Sequence, residues 1–467
     1  MSRSEDQRPS GRTTTQTSRR VAYETLRAVH ESDAYANLFL PTAMQRAGLE
    51  GSDAALCTEL TYGTLRREGT YDAVIALAAD RDVRDIDPAV LDALRLGVHQ
   101  LLSTRVASHA AVNESVELAR SAAGRGAAGF VNAVLRRISR DTPGEWMMRV
   151  ADTARSDDER LGLLFSHPVW VVRAFRRALA AEDRADELEA LLTADNASPR
   201  VTMAALPGLA DVPDDARRTP YSPFGFRAGG GDPDALIRAS GGRLRVQDEG
   251  SQLAALALLA AQPIQQGERW LDLCAGPGGK TAVLAAEALA HRATLEANEI
   301  SPARAGLVRR AIAGVPLEVT VTEEDGRVRA AESPGTYDRI LVDAPCTGLG
   351  ALRRRPEARW RKAPSDIPDL TSLQRELLSS AISALTPGGV VAYVTCSPHL
   401  AETSGVVAEV TREWGDAVEE LSARDAVTAA SVTDPGLLPQ ADGSGRAQLW
   451  PHRHNTDAMS ISLLRRR

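Results

Sequence analysis

The first part of the chain carries apolar side chains at helical spacing. Between residues 19 and 138 they recur every three or four positions, which places them on one face of an α-helix. Examples are Leu91, Leu94, Val98 and Leu101. Strand-type alternation is absent there, so we predict an all-α bundle over residues 19–145. A polar, charge-rich stretch at about 139–160 is expected to separate this bundle from the next domain.

Residues 160–245 combine helical and strand patterns. HPVWVVRAFRRALA and ELEALLTA are spaced as helices, whereas PRVTMAAL is typical of a strand. The segment 207–235 is rich in Gly, Pro and Asp, which favours a loop or a small insertion. We predict a small α+β linker domain here.

From residue 246 short apolar runs alternate with helical stretches. The strand candidates are RWLDLC, ATLEAN, LEVTVT, YDRILVD and GGVVAYVT, and AQLWPH and AMSISLL come later in the chain. The helical stretches are 277–290, 301–313 and 371–386. This order predicts an α/β domain over 246–467, with a doubly wound, mostly parallel sheet of Rossmann-like type.

Composition bounds the class of protein. With 467 residues, 43% hydrophobic and 25% charged, the chain is typical of a globular protein of two or three domains. Its longest apolar run, Leu253–Ala261, is too short to cross a bilayer, so no membrane association is expected. Residues 1–18 lack the apolar segment of a secretion signal and are predicted to be a disordered, mildly basic tail.

Cysteine usage indicates a reducing compartment. The four cysteines form no C-x-x-C pair, which argues against a disulfide framework and against a zinc site. They are Cys57, Cys274, Cys346 and Cys396. We therefore expect a cytoplasmic protein without metal, with thiols available for chemistry. We also expect a monomer.

The net charge of −7 does not suggest that the protein binds nucleic acid, but one segment has a local excess of positive charge. RRRPEARWRK, residues 353–362, carries six basic residues and one acidic residue. A solvated basic face is the usual role of such a run. The aromatic Trp360, able to stack on a base, favours RNA contact by Arg353, Arg354, Arg355 and Trp360.

A glycine-rich turn, LDLCAGPGGKT, connects the first strand of the α/β domain to a helix. The turn does not match a phosphate-binding P-loop, because Cys274 occupies the position of that motif's first glycine. It matches a dinucleotide-binding fingerprint only in part, because Thr281 occupies the position of the third glycine. S-adenosylmethionine over the turn is the third interpretation, and a tight turn without ligand is the fourth.

Acidic residues at consecutive strand ends favour the cofactor interpretation. Glu299 ends the second strand, where it can accept hydrogen bonds from ribose hydroxyls. Ser301 and Pro302 form a favourable helix start after it. Asp325 ends the third strand, within reach of an adenine, and Asp343 ends the fourth. A single acidic residue at a strand end is usually a solvated loop residue. Three acidic residues that face the same crevice favour a cofactor-binding site.

Two cysteines come directly after the fourth and fifth strands of this domain. Cys346 lies in ILVDAPCTGLG and Cys396 in AYVTCSP. Ser397 and Pro398 are a favourable helix start, so we predict a helix N-terminus that lowers the pKa of the Cys396 thiol. Simple packing at a strand end is the alternative for Cys396.

A thiolate beside a methyl donor suits one reaction in particular. Carbon 5 of a pyrimidine is a poor nucleophile until a thiolate adds to carbon 6. Asp343, hydrogen-bonded to the N3 edge of the ring, would stabilise the adduct. The sequence therefore predicts Cys396 as a nucleophile.

At these residues the sequence resembles the Sun-type RNA cytosine-C5 methyltransferases. The matching motifs are DLCAGPGGKT, DAPCTGLG, RRRPEARW and TCSPHLAET. The resemblance implies that Cys396 is the nucleophile, that Cys346 releases the product, and that Lys280 acts near the cofactor. It also implies S-adenosylmethionine contacts at Cys274, Ala275, Gly276, Pro277, Gly278, Gly279, Lys280, Glu299, Asp325 and Asp343.

The front of the chain resembles the NusB-like RNA-binding domain. LCTELTYGTLRR and GFVNAVLRRI carry this likeness. Its combination with the catalytic domain is that of family members acting on small-subunit (16S) ribosomal RNA, the expected substrate. The same chemistry on tRNA, or a non-catalytic RNA-binding or antitermination protein, are the alternatives. The chain departs from the family pattern at Glu299, where Asp is usual, and at Ala401 and Thr403, where Glu and Asn are usual. It also lacks the C-terminal Gly-Phe-Phe.

Overall fold

A computed structural model describes residues 11–229 and 233–467, and the chain divides into two compact units. The first contains the chain up to Arg173 together with Leu352–Arg361. The second contains Ala174–Ala351 and Lys362–Arg467. Most of the predicted linker domain therefore belongs to the same unit as the α/β domain, because its small sheet packs on the same core.

Helices build the first unit, as the apolar spacing predicts. They are α1 Gly11–Ser32, α2 Ala36–Arg46, α3 Gly51–Arg66, α4 Glu68–Ala79, α5 Pro88–Ser103, α6 Ser108–Ile138, α7 Pro143–Ala151 and α8 Asp157–Phe165. The unit boundary falls within α9, Val169–Ala180. Because α1 begins at Gly11, the predicted disordered tail is wrong for residues 11–18; residues 1–10 of that prediction lie outside the described ranges.

The charge-rich stretch at 139–160 does not separate two domains but contributes α7 and the start of α8 to this unit. Thr142 and Glu145 form a capping box at the start of α7. On the opposite face Trp146 and Val150 are buried in the helical core, and Trp146 Nε1 donates to the Ile138 carbonyl at 2.9 Å. The prediction failed because polar residues cover only the exposed face of a short amphipathic helix.

A small antiparallel sheet begins the second unit after α10, Leu188–Asp195. Its strands are β1 Thr202–Ala205, β2 Arg217–Arg218, β3 Gly225–Arg227 and β4 Leu244–Val246, in the order β2-β3-β1-β4. The strand predicted in PRVTMAAL is confirmed as β1. The segment 207–235, predicted as a loop or a small insertion, is not a loop throughout, because it contains β2, β3 and the start of α11, Pro233–Ala239.

The larger sheet is doubly wound, as predicted. Its strands are β5 Arg269–Asp272, β6 Thr294–Asn298, β7 Thr320–Thr322, β8 Tyr337–Asp343, β9 Leu385–Thr395, β10 Val418–Leu421, β11 Ala447–Gln448 and β12 Ser460–Arg466. The order is β10-β12-β9-β8-β5-β6-β7, with β11 beside β12. Strands β5 to β9 pair in parallel, while β10, β11 and β12 pair antiparallel. The pattern missed β10.

Helices cover both faces of this sheet. They are α12 Glu249–Ala260, α13 Gly279–His291, α14 Pro302–Ile312, α15 Gly326–Ala331, α17 Ile367–Ala384, α18 Ser404–Trp414, α19 Ala423–Ala430 and α20 Pro451–His454; α16, Ala358–Arg361, belongs to the first unit. Side chains alternate between two cores along β8, where Leu341 lies in one and Ile340 and Val342 in the other. No helix in the described ranges is long and apolar enough to cross a membrane.

The register aligns the carboxyl ends of the sheet's central strands. Asp272 of β5 pairs with Leu341 of β8 and Ala297 of β6, and Asp343 of β8 pairs with Val394 of β9. The segments after β5, β6, β8 and β9 therefore leave the same edge of the sheet, where ligands bind in open α/β folds.

The opposite, amino-terminal edge is joined by a buried ion pair. Glu268, which precedes β5, accepts from Arg339 Nε at 2.7 Å and from Trp270 Nε1 at 2.7 Å. Arg339 is fully buried and also donates to the carbonyls of Leu258 and Gln262. This carboxylate therefore has a structural role remote from the carboxyl edge.

Candidate active site

Two glycines shape the turn between β5 and α13. Gly278 has a φ of 103°, a conformation that favours glycine, and a Cβ there would lie 2.6 Å from the Ala311 Cβ. Gly276 donates its N–H to Glu299 Oε2 at 3.1 Å, and a Cβ on Gly276 would overlap that oxygen. The turn is thus closed onto the acid that lies directly after β6.

Glu299 lies at the predicted strand end, but its carboxylate already has protein partners. It is 3% exposed and accepts from Gly276 N and from Ser301 N at 3.0 Å. Arg304 Nη2 lies 3.4 Å from it and donates to the Gly276 carbonyl at 2.6 Å. Helix α14 starts at Pro302 as expected, although the Ser301 side chain makes no capping hydrogen bond.

Asp325 caps α15, beyond the edge strand β7. Its carboxylate accepts from Arg327 N at 2.9 Å and pairs with the Arg327 guanidinium. The side-chain hydrogen bond to Arg327 is the main cause that lowers the pKa of Asp325. The carboxylate is thus available in its charged form at this edge of the sheet.

Lys280 and Asp343 form an ion pair between the first turn of α13 and the end of β8. Lys280 Nζ lies 2.7 Å from Asp343 Oδ2. Burial alone would lower the pKa of Lys280, but the charge and hydrogen bond of Asp343 outweigh it and raise that pKa. Two predicted site residues from separate motifs are therefore brought into direct contact, with the lysine held as a cation.

The two predicted catalytic cysteines are in contact. Cys346 Sγ and Cys396 Sγ lie 3.5 Å apart, one after β8 and the other after β9. The hydrogen bond to Cys396 and then burial raise the pKa of Cys346 well above that of an ordinary thiol. Cys274 in the glycine turn also has a raised pKa, because it is buried near several carboxylates.

The helix predicted directly after Cys396 is absent. The chain instead forms a short 3-10 turn at Leu400–Glu402, and α18 begins at Ser404. The Ser397 hydroxyl donates to the Glu402 carboxylate at 2.7 Å and does not cap a helix. The prediction was wrong because Ser-Pro is also compatible with a loop, so no helix N-terminus lies directly after Cys396.

Asp272, at the end of β5, is a buried carboxyl group beside the glycine turn that the sequence patterns did not single out. It is 1% exposed and Oδ2 accepts from Thr281 Oγ1 at 2.7 Å, whereas Oδ1 has no hydrogen-bond partner among the described residues. Burial raises its pKa to about 7. An unpartnered carboxylate oxygen beside the glycine turn fits the cationic amino-acid end of S-adenosylmethionine.

Comparison with known proteins agrees with both units. A family model described as 16S rRNA methyltransferase RsmB/F matches residues 258–465, and the NusB family matches residues 16–140. The ribosomal RNA small subunit methyltransferase B of Erwinia tasmaniensis is 31% identical over 440 residues, covering 91% of this chain and 95% of that protein. The chain belongs to the RsmB/F family.

Further relatives extend this likeness over nearly the whole RsmB/F chain. The protein named "Putative methyltransferase Rv1407" of Mycobacterium tuberculosis is 49% identical over 454 residues, covering 96% of each chain. The crystal structure of PH0851 is 24% identical, with a TM-score of 0.78 over 96% of this chain and 98% of that one, which supports the fold. The RsmB/F chain is thus an S-adenosylmethionine-dependent RNA methyltransferase with a NusB domain.

Residues 353–361 of the arginine-rich segment of this RsmB/F protein lie within the first unit, and Lys362 belongs to the second. Arg359 is fully buried and donates to the carbonyls of Arg66 at 2.7 Å and Ser166 at 3.0 Å. Arg353 is only 3% exposed. The predicted RNA contact of Arg353 is therefore wrong for this structure, because the segment uses part of its charge to pack against helices.

Other members of the segment are open to solvent. Arg355 is exposed, Trp360 is 40% exposed and Arg354 is half-buried. The guanidinium of Arg355 lies 5.7 Å from the centre of the Tyr35 ring. The RNA contacts of these three residues stay a prediction, and Arg355 and Trp360 have the exposure that it requires.

The raised pKa of Asp272 predicts a pH dependence of stability. Between about pH 4 and pH 7 this carboxyl ionises in the unfolded chain but not in the folded one, so its contribution to the free energy of unfolding falls by about 1.4 kcal/mol per pH unit. Asp272→Asn removes this loss. We expect its melting temperature to exceed that of wild type by a margin that grows from pH 5 to pH 7.5.

Thermal unfolding without cofactor, monitored by circular dichroism at several pH values, measures this margin. Asp369→Asn, at an exposed aspartate in the first turn of α17, is the matched control and should show no growing margin. An Asp272→Asn margin that is constant with pH would contradict the buried-carboxyl explanation.

Proposed function

We propose that this RsmB/F enzyme methylates carbon 5 of a cytosine in small-subunit ribosomal RNA through a covalent adduct with Cys396. The contact of the two thiols, 3.5 Å apart beside the Lys280–Asp343 pair, carries the proposal. A single thiol at a strand end would be explained by packing alone. Two thiols in contact at the carboxyl edge provide one group for addition and another for release.

Addition begins with the Cys396 thiolate. It forms a bond to carbon 6 of the cytosine, and the electrons of the C5–C6 double bond shift to give a nucleophilic carbon 5. Asp343, held by Lys280 Nζ, is proposed to contact the N3 edge and stabilise the charge that develops in the ring. S-adenosylmethionine, when bound, supplies an electrophilic methyl group.

Release requires the loss of a proton from carbon 5 and of the sulfur from carbon 6. The proton passes to Cys346 in its ionised form, while the electron pair of the C6–S bond returns to Cys396 and the ring double bond is restored. The contact with Cys396 is the first cause of the raised pKa of Cys346. Formation of the Cys396–C6 bond removes that cause, which favours ionisation of Cys346 at the stage where a proton acceptor is needed.

For the cofactor we propose a site on the glycine turn Cys274–Lys280 and the strand-end acids Glu299, Asp325 and Asp343. The free Oδ1 of Asp272 adds an acceptor to this set. Glu299 is proposed to bind the ribose, although its oxygens already accept two backbone N–H groups. A carboxylate offers about four acceptor sites, so it retains capacity for hydroxyl donors.

The ribosomal substrate is supported by the names of relatives such as the Erwinia tasmaniensis protein. The target cytosine must leave its stack to enter the site. Binding by the NusB domain and by Arg355 and Trp360 would be electrostatic in large part, so RNA affinity should fall steeply with salt.

The experiment combines purified protein, labelled S-adenosylmethionine, and unmodified small-subunit ribosomal RNA, with tRNA as the comparison RNA. We expect label in 5-methylcytosine at a ribosomal position, and a stable protein–RNA complex when the RNA contains 5-fluorocytosine, whose fluorine cannot leave as a proton does. Label on an exocyclic nitrogen would refute the proposed reaction. Label on tRNA alone would refute the proposed substrate.

A further inference from the structure

A fully buried carboxylate lies beside the two thiols. Glu402, the last residue of the 3-10 turn, is 0% exposed. Its Oε1 accepts from Thr347 N at 2.7 Å and Gln374 Nε2 at 3.3 Å. Its Oε2 accepts from Thr347 Oγ1 at 2.5 Å and Ser397 Oγ at 2.7 Å. Hydrogen bonds to an ionised acceptor are among the strongest in proteins.

These donors come from both cysteine loops. Thr347 is the residue after Cys346, and Ser397 is the residue after Cys396. The two hydroxyls also contact each other at 3.0 Å. One carboxylate therefore bonds the residue after each thiol, and the loops cannot separate without exposing or breaking a buried, charged hydrogen-bond network.

Glu402 is itself held from two further elements. Tyr393 OH of β9 donates to the Glu402 carbonyl at 2.7 Å. Gln374 of α17 donates through the same Nε2 to the Pro345 carbonyl at 2.7 Å, next to Cys346. A backbone bond from Gly350 N to Cys396 O at 2.8 Å also joins the loops, but it lies four residues beyond Cys346.

We propose that Glu402 is the positioning residue that sets the separation of the Cys346 and Cys396 thiols for adduct formation and release. This inference rests on the proposed function, in which both thiols act on one cytosine. Glu402 has no exposed surface and four protein donors, so it acts through the loops and does not contact RNA. Its removal should lower kcat and leave the KM for RNA nearly unchanged.

Two substitutions separate geometry from charge. In Glu402→Gln the amide oxygen can accept from Thr347 N and Gln374, and the amide NH₂ can donate to the two hydroxyls, which also act as acceptors. Glu402→Ala removes all four contacts. We expect kcat to fall about 100-fold or more in the alanine variant and less than about 10-fold in the glutamine variant, because small misplacements of reacting groups are costly.

Glu268→Ala is the matched control, because Glu268 is also a buried carboxylate of this unit but joins the opposite edge of the sheet. It should destabilise the protein comparably. At a temperature where all variants are folded by circular dichroism, its kcat should stay within about 3-fold of wild type.

A second readout needs no RNA and no turnover. Diamide oxidises two neighbouring thiols to a disulfide and takes up two electrons and two protons to become the hydrazine. Formation of the Cys346–Cys396 bond can be timed by mass spectrometry of peptides. Disulfide geometry requires close sulfurs, so we expect a rate at least about 10-fold lower in Glu402→Ala and near wild type in Glu402→Gln and Glu268→Ala.

Each outcome decides one question. Wild-type disulfide rates in Glu402→Ala, or an equal loss of kcat in Glu268→Ala, would overturn the positioning role. If wild type transfers no methyl group, the proposed function fails, but the disulfide rates still decide the role of Glu402. If Glu402→Ala does not fold, Ser397→Ala removes one donor and should produce a smaller decrease in both kcat and disulfide rate; unchanged values would refute the proposal.

Discussion

Cys396→Ala is expected to abolish methyl transfer while leaving RNA bound. Without a sulfur nucleophile, carbon 5 of cytosine cannot be activated by addition at carbon 6, and loss of an essential nucleophile costs about 10⁴-fold or more in rate. The dissociation constant for RNA should change less than about 3-fold, because the thiol contributes little surface or charge to binding. Filter binding and incorporation of labelled methyl groups measure the two quantities.

The matched control for this variant is Cys57→Ala. Cys57 is fully buried in α3 of the first unit, so its replacement tests the general effect of removing a thiol. It should retain transfer at the wild-type rate at a temperature where the fold is intact. Retention of more than a tenth of the wild-type rate by Cys396→Ala would exclude the covalent mechanism.

Cys346→Ala is expected to stop turnover at a different point. The Cys396 adduct can still form and carbon 5 can still be methylated, but the group proposed to take the carbon 5 proton is missing. A covalent protein–RNA complex should therefore accumulate to nearly one per enzyme, and steady-state turnover should fall about 100-fold or more.

Denaturing gels detect this complex directly, since it survives loss of the fold. Its formation should require S-adenosylmethionine, and it should disappear in the double variant Cys346→Ala, Cys396→Ala. Normal turnover in Cys346→Ala, or a complex that persists in the double variant, would contradict the division of roles between the two thiols.

Much of the α/β fold was predictable because a parallel sheet needs apolar strands with helices between them. YDRILVD and GGVVAYVT form β8 and β9, and the alignment of the ends of these strands brings Cys346 and Cys396 together. Strand β10 was missed because VEEL has little apolar character, and its place depends on pairing with the distant β12.

Glu402 shows why the local pattern is insufficient for a site. Its donors include Thr347 and Gln374, which lie 55 and 28 residues away in the chain. Nothing next to Glu402 marks it as buried, and a glutamate is usually expected at the surface. The six-residue spacing from Cys396 was the available signal, but it becomes informative only when the fold supplies the partners.

Arg353 illustrates the opposite error, because a residue predicted to contact RNA is buried in the protein. A run of arginines is usually solvated or bound to a polyanion, and the pattern alone cannot reveal that an individual guanidinium is enclosed by its own fold. The burial of Arg353 and Arg359 comes from tertiary packing against helices that precede them by hundreds of residues.

The closure of Gly276 onto Glu299 has a consequence for evolution. Because a Cβ at position 276 would overlap Glu299 Oε2, the two positions behave as one unit of selection although 23 residues separate them. An aspartate at 299 is one methylene shorter and would withdraw the carboxylate. The same Cβ would lie 2.8 Å from Arg304 Nε, but that side chain is half-exposed and its end can move away. In that background alanine at 276 should be tolerated better, so the fitness effect of either substitution depends on the other, a case of epistasis.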